Sequence, residues 1–126
     1  MAVLACYTNT AEGRAAVDRA FIESCRLDDE LVIINIDTHR SPADSVIPGI
    51  DLDGYNAGGR KVTVLPPAET VHDAADLVLQ TQQDLDATLI VLGLRRRSRV
   101  GKLILGSHAQ RILIEADCPV LAVKAV

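Results

Sequence analysis

Five short apolar runs constrain the fold of this chain more than any other feature: AVLACY (2–7), ELVIINI (30–36), KVTVL (61–65), ATLIVLGL (87–94) and PVLAVKAV (119–126). They are rich in Val, Ile and Leu, and most are continuous rather than alternating. A strand that is apolar at successive positions is buried on both faces, as in a parallel sheet covered by helices on each side. Segments with helical spacing lie between the runs. Alternating strands and helices imply one α/β domain over residues 1–126, doubly wound, with a mostly parallel sheet and right-handed crossovers.

Three helices are expected. Residues 11–25 place Val17, Ala20, Phe21 and Ser24 on one stripe, with Asn9 or Thr10 to open the helix; Asn9 with Glu12 three residues on resembles a capping box. Residues 69–83 place Val71, Ala74, Ala75 and Val78 together behind Thr70-x-x-Asp73. Residues 107–116 align Ala109, Ile112, Leu113 and Ala116, and the S-x-x-Q of Ser107 to Gln110 predicts Ser107 as the N-cap. Residues 38–60 fit no period and contain Pro42, Pro48, Gly49, Gly54, Gly58 and Gly59. Segments of this length without periodicity tend to be functional or disordered, and a short helical turn is expected near residues 42–46.

Composition excludes several classes of function. No apolar run approaches the roughly 18 residues a membrane helix needs, and the opening MAVLACYTNT reads as a strand without a basic leader. The three cysteines, Cys6, Cys25 and Cys118, have neither CxxC spacing nor His support, so no disulfide frame or zinc site is expected. Cys6 and Cys118 read as small buried hydrophobes, Cys118-Pro119 serves packing, and the setting is reduced and cytoplasmic. Aromatic residues are limited to Tyr7, Phe21 and Tyr55, which leaves few stacking platforms for single-stranded nucleic acid. His72 and His108 fall in first helical turns and read as surface residues.

Charge is distributed unevenly. The chain carries a formal net charge of -4, yet Arg95, Arg96, Arg97, Arg99 and Lys102 crowd the segment after the fourth run. Eight basic residues face seventeen acidic ones in the remainder. Open parallel sheets take ligands at the carboxyl ends of their strands. Two segments there carry suitable groups: Thr8-Asn9-Thr10 after the first run, and residues 93–107 after the fourth. Gly93 leaves the strand end clear. Gly106-Ser107 then opens a helix whose free N–H groups and dipole favour an anion. The arginines make this the strongly positive region of the chain, suited to polyphosphate. Ile36 and Leu92 are apolar candidates at strand ends, and Asp37 and His39 could reach a ribose or base. A Walker A loop is excluded, because Arg96 and Leu103 occupy the positions of its first glycine and its metal-ligating hydroxyl; G-x-G-x-x-G is absent.

Gly93 and Gly106-Ser107 fit G-x-x-G-x9-G-[ST] except at the second glycine, where Arg96 stands. With the opening strand, the approach DATLIVLG (86–93), GKLILGS (101–107) and CPVLAVK (118–124), the chain resembles the universal stress protein family over nearly its whole length. The resemblance implies a five-stranded parallel sheet of order 3-2-1-4-5 with helices on both faces. It also implies a homodimer and, in one subgroup, ATP bound in this loop. Such a protein is a nucleotide-responsive regulatory module rather than a dedicated enzyme. ATP or another adenine nucleotide is the implied ligand, contacted by Thr8, Asn9, Ile36, Asp37, Leu92, Gly93, Arg95, Arg96, Arg97, Gly106 and Ser107, with no metal ligand assigned. Two departures keep other readings open. Arg96 would offer a guanidinium to phosphate where the family offers a glycine backbone. No carboxylate follows the first strand, where nucleotide-binding members usually carry Asp. An interaction protein of the same fold without nucleotide, or a slow ATP hydrolase, are the alternatives. The terminal strand, residues 119–126, is an apolar sheet edge and is expected to pair two copies, with Val123→Pro weakening the dimer.

Overall fold

The computed structural model describes residues 1–8, 10–36, 61–65, 73–96, 103–104 and 106–125, with backbone alone at 95, 96, 103 and 104. The parallel strands are β1 (Ala2–Tyr7), β2 (Glu30–Asn35), β3 (Val62–Leu65), β4 (Leu89–Arg96) and β6 (Val120–Lys124). They lie side by side in the order β3-β2-β1-β4-β6, which is 3-2-1-4-5 when the parallel strands are counted along the chain. A two-residue strand, β5 (Leu103–Ile104), is an addition to the expected sheet and pairs antiparallel with Arg95 and Arg96 beyond the parallel part of β4. Expectations for residues 38–60 lie outside the described residues.

Side-chain alternation explains the continuous apolar runs. Leu4 and Cys6 of β1 and Val32 and Ile34 of β2 face one side, with Ala75, Val78 and Ile112 from helices α2 (Ala74–Leu85) and α3 (Ser107–Glu115) packed over them. Val3, Ala5 and Tyr7 of β1 and Leu31 and Ile33 of β2 face the other, covered by Ala16, Val17 and Ala20 of α1 (Ala11–Leu27). Successive strand residues point to opposite faces, so a sheet covered twice needs an apolar residue at every position. Each fully buried Leu or Ile contributes about 1.5–3 kcal/mol relative to exposure.

The helix ends follow from local chemistry. Thr10 is the N-cap of α1 and accepts the Gly13 N–H on its hydroxyl at 3.1 Å, so the choice between Asn9 and Thr10 falls to Thr10. Asp73 caps α2 by accepting the Ala75 N–H at 2.8 Å. α1 and α2 both stop at a left-handed aspartate, Asp28 with φ 56° and Asp86 with φ 50°; a short polar side chain tolerates that region better than most. α3 differs from its sequence expectation. Its N-cap is Gly106, whose backbone is extended and whose carbonyl accepts the Gln110 N–H at 2.9 Å, which makes Ser107 the first helical residue rather than the cap. Buried polar side chains are satisfied locally: the Ser24 and Thr81 hydroxyls donate to the Phe21 and Leu77 carbonyls, and Glu23 accepts from Arg19 and Arg26.

Candidate functional site

A cavity of about 360 Å³ opens at the carboxyl ends of β1, β2 and β4, between the first turns of α1 and α3. Cys6, Thr8, Ile36, Leu92 and Gly93 come from the strand ends, Thr10, Glu12 and Gly13 from α1, and Gly106, Ser107, His108, Ala109 and Ile112 from α3. This is where an open parallel sheet holds ligands. The lining combines apolar groups (Cys6, Ile36, Leu92, Ile112) with polar ones (Thr8, Thr10, Glu12, Ser107, His108), which matches a ligand with both an apolar and a polar part.

Two helix N-termini border the cavity, and they are not equivalent. At α1 the Thr10 hydroxyl already takes the Gly13 N–H, and the Thr8 and Thr10 hydroxyls lie 2.7 Å apart in a mutual hydrogen bond. At α3 the N-cap is a glycine and offers no side-chain acceptor to the first turn. First-turn donors without a side-chain cap from Gly106, together with the positive end of the dipole, suit an anionic acceptor. Gly106 has φ -67° and ψ 165°, which any residue can adopt, and a Cβ built on it meets nothing within 4 Å. Neither strain nor packing within the described residues demands glycine at this position. What glycine leaves is room at the helix start.

Gly93 has a different reason to be glycine. A Cβ there would collide with the Glu12 backbone, coming within 2.6 Å of its carbonyl carbon. Gly93, expected from the sequence to keep the strand end clear for a ligand, in the structure first of all lets β4 approach the start of α1. Gly13 is fixed similarly, with a Cβ meeting the Thr8 backbone and its Oγ1, the latter at 2.6 Å. These two glycines draw β1, β4 and α1 together and so shape the cavity floor.

Titration sorts the remaining groups. Burial pushes the Cys6 thiol up to about 12, so it is a protonated wall and not a nucleophile. His108 is exposed, as expected from the sequence, yet it also borders the cavity and sets Nδ1 3.3 Å from Asp73 Oδ1. The Asp73 carboxyl is held below its usual value by the Ala75 N–H, with the Asp76 N–H, His108 and Arg111 acting in the same direction and desolvation opposing them. Arg111 pairs with Asp73 at 3.3 Å, with Glu115 at 2.6 Å and with Asp76, tying α2 to α3; its hydrogen bonds to Asp76 and Glu115 raise its pKa.

Of the site residues expected from sequence, Thr8, Ile36, Leu92, Gly93, Gly106 and Ser107 line the cavity together. Arg95 and Arg96 lie in β4 opposite Ile104 and Leu103 of β5. Asn9, Asp37 and Arg97 lie outside the described residues. Thr10, from the Thr8-Asn9-Thr10 segment named in the sequence, joins the cavity lining, whereas sequence reasoning missed Cys6, Glu12, Gly13, His108, Ala109 and Ile112. The signal for most was available: when two first turns meet at strand ends, the inward positions of both turns become walls. Among the described residues no three His, Cys, Asp or Glu side chains cluster to hold a metal ion, and no helix is long and apolar enough to cross a membrane.

Residues 1–124 match the universal stress protein family. The chain belongs to that family. A universal stress protein of Mycolicibacterium smegmatis is 36% identical over 123 residues, covering 94% of this chain and 93% of the relative. Among solved structures, a universal stress protein from Archaeoglobus fulgidus superposes with a TM-score of 0.70 at 20% identity, covering 97% of each chain. An Archaeoglobus fulgidus universal stress protein in complex with dAMP gives a TM-score of 0.66 at 16% identity over 97% of this chain and 96% of the other. A universal stress protein in complex with cAMP gives 0.59 at 19% identity over 100% and 98%. At these identities the structural likenesses establish the fold: an α/β domain with the parallel order 3-2-1-4-5.

Proposed function

We propose that this universal stress protein is a regulatory module that binds an adenine nucleotide in the cavity at the strand ends, with phosphate at the start of α3. The observation that carries this reading is Gly106: it caps α3 without a side chain, lines the cavity and leaves open the space its Cβ would fill. A phosphate there accepts first-turn N–H groups for which Gly106 has no capping side chain. Ile36 and Leu92 supply apolar surface for a base, and the hydroxyls of Thr8 and Thr10 stand where nucleotide-binding members usually carry Asp. Family proteins solved with dAMP and cAMP support the choice of an adenine nucleotide. Arg95, Arg96 and Arg97 add positive charge nearby in sequence.

The second reading, an interaction module without nucleotide, is favoured by one contact. Thr8 and Thr10 already hydrogen-bond each other at 2.7 Å, so this hydroxyl pair is engaged within the chain rather than held open for a base or ribose. Titration calorimetry with ATP, AMP and sulfate separates the two. The nucleotide reading expects saturable heat with AMP or ATP, lost in Gly106→Val. No heat at millimolar nucleotide and low salt overturns it in favour of the interaction module, and phosphate release from ATP above blank would move it to slow hydrolysis. We further propose that the protein works as a cytoplasmic homodimer through the free edge of β6.

A further inference from the structure

We propose that α3 is the movable wall of the cavity, latched to α2 by Arg111, so that it opens ahead of α1 and α2 and opens more readily when salt screens the latch. The inference concerns the wall and stands whatever the cavity holds. Gly106, Ser107, His108, Ala109 and Ile112 line the cavity from α3 and its N-cap. Release of this one helix therefore lays the cavity open on that side. The apolar footing of α3 is thin. Its inward stripe is Ala109, Ile112 and Ala116, and of these only Ile112 is buried outright. The two alanines present one methyl group each and are partly buried. Leu113 and Ile114, the other large apolar side chains of α3, are 40% and 81% exposed and add little. α1, by contrast, buries Ala16, Val17 and Ala20 with Phe21 packed beside them, and α2 buries Ala75, Leu77 and Val78. α3 also lacks a side-chain N-cap. Its nine residues are fewer than the roughly 12–15 that let a helix persist alone in water. Once off the sheet, α3 has to unfold.

Arg111 supplies a hold that the apolar footing does not. From the middle of α3 its guanidinium reaches across to α2, with Nη1 3.3 Å from Asp73 Oδ2 and Nη2 on Asp76 Oδ1. Its Nε donates to Glu115 of α3 itself at 2.6 Å. The anchor on α2 is itself fixed, because Asp73 Oδ1 accepts the Ala75 N–H as the N-cap of that helix. One side chain thus ties the start of α2 to the body of α3. Arg111 and its three carboxylate partners are each between 40% and 50% exposed. Ion pairs at that exposure are individually weak and are screened by salt. Against a deeply packed helix such pairs decide nothing; against a footing of one isoleucine and two alanines they set how often the helix lets go. Segments that bury little apolar surface are the ones that open at low free energy.

The test is residue-resolved amide hydrogen exchange on the full chain without ligand, at one pH, in about 0.05 M and about 1 M sodium chloride, a range over which screening becomes nearly complete. The most protected amides of α1 and α2 serve as internal references. In the native protein the amides of α3 should exchange faster than those references, and roughly threefold to tenfold faster in high salt than in low. Arg111→Met keeps the long stem and the helix propensity, so its α3 should exchange at the fast rate in both salts. Asp76→Asn alters nothing on α3 and should still speed the exchange of α3, and by more than Glu115→Gln, which removes only the partner within the helix. Ile112→Val thins the footing and leaves the latch, so it should speed exchange while keeping the salt dependence. The native salt series needs no variant and decides the matter even where a variant does not fold. If α3 in the native protein exchanges only with global unfolding, or is indifferent to salt, the inference is wrong. It is equally wrong if Glu115→Gln speeds the exchange and Asp76→Asn does not, because the charge of Arg111 would then serve its own helix and not the link to α2.

Discussion

Gly93 and Gly106 occupy the same cavity and owe their identity to opposite circumstances, which makes them the sharpest pair for substitution. At Gly93 the next atoms are the Glu12 backbone; at Gly106 there is open space. Gly93→Ala should therefore destabilise the fold by about 1–3 kcal/mol, the usual range for overpacking, because backbone cannot step aside as a flexible side chain can. Gly106→Ala should stay within about 1 kcal/mol of the native protein, since only the helix start is affected, while weakening anion binding. Urea midpoints and calorimetry on the two variants measure both quantities. Equal stability loss in the pair would contradict the geometry. The cysteines offer a second residue-scale check. Cys25 is exposed on α1, whereas Cys6 is buried with its pKa raised to about 12 by that burial. Cys118 is half-buried and also raised, by burial and then by Asp117. Alkylation at pH 8 with peptide mapping should modify Cys25 first and Cys6 only in denaturant; early loss of Cys6 would mean that the sheet face under α2 and α3 opens readily.

At the scale of elements, the three helix starts among the described residues divide the labour between stability and binding. Thr10 and Asp73 close α1 and α2 with side-chain caps, and α3 is left with a glycine. Asp73 makes this measurable through pH. Its folded-state pKa is lowered, so its stabilising contribution is complete above the unfolded aspartate value of about 3.9 and disappears as pH falls through the lower folded value. Asp73→Asn retains capping but not the charge toward His108 and Arg111. Its denaturation midpoint should lie below the native one at pH 6, and the two should converge in acid below that window; a difference unchanged with pH would mean that the charge contributes nothing. The same elements mark what was legible in sequence. The strands were, because burial on both faces forces unbroken apolar runs such as AVLACY and ELVIIN. The helix starts were less so. S-x-x-Q named Ser107, but a cap is defined by backbone geometry, and it was Gly106 that turned out extended. The cavity was half legible: Gly106-Ser107 and Thr8 lie at strand and helix ends that can be read along the chain. The α1 wall and the His108–Asp73 pair depend on which turn meets which, and that is settled only by the packing of α1 on β4 and of α3 on α2.

The whole molecule poses the question of what meets the last strand. β6 pairs with β4 on one side and, among the described residues, with no other strand. Val120, Leu121 and Val123 are only half-buried, and Ala122 and Lys124 are exposed. An edge of this composition invites another strand, and a two-fold axis satisfies two such edges with one antiparallel, self-complementary contact. The ladder also decides which residue tests this. The Ile90 N–H donates to the Pro119 carbonyl at 3.1 Å, so the backbone of Pro119 faces β4. Backbone groups along a strand alternate in direction, so Leu121 and Val123 face β4 as well, and Val120, Ala122 and Lys124 present theirs to the free edge. Val123→Pro, expected from the sequence to weaken a dimer, in this register removes a donor from the monomer's own sheet. Ala122→Pro removes one from the free edge, where proline is tolerated. Light scattering at micromolar concentration should find the native protein dimeric and Ala122→Pro shifted to monomer with its thermal midpoint for local unfolding little changed. Val123→Pro should instead lose stability whatever its association state, because it removes a ladder hydrogen bond to β4. A native protein that is monomeric at that concentration, or an Ala122→Pro variant that dimerises as well as the native chain, would exclude β6 as the contact.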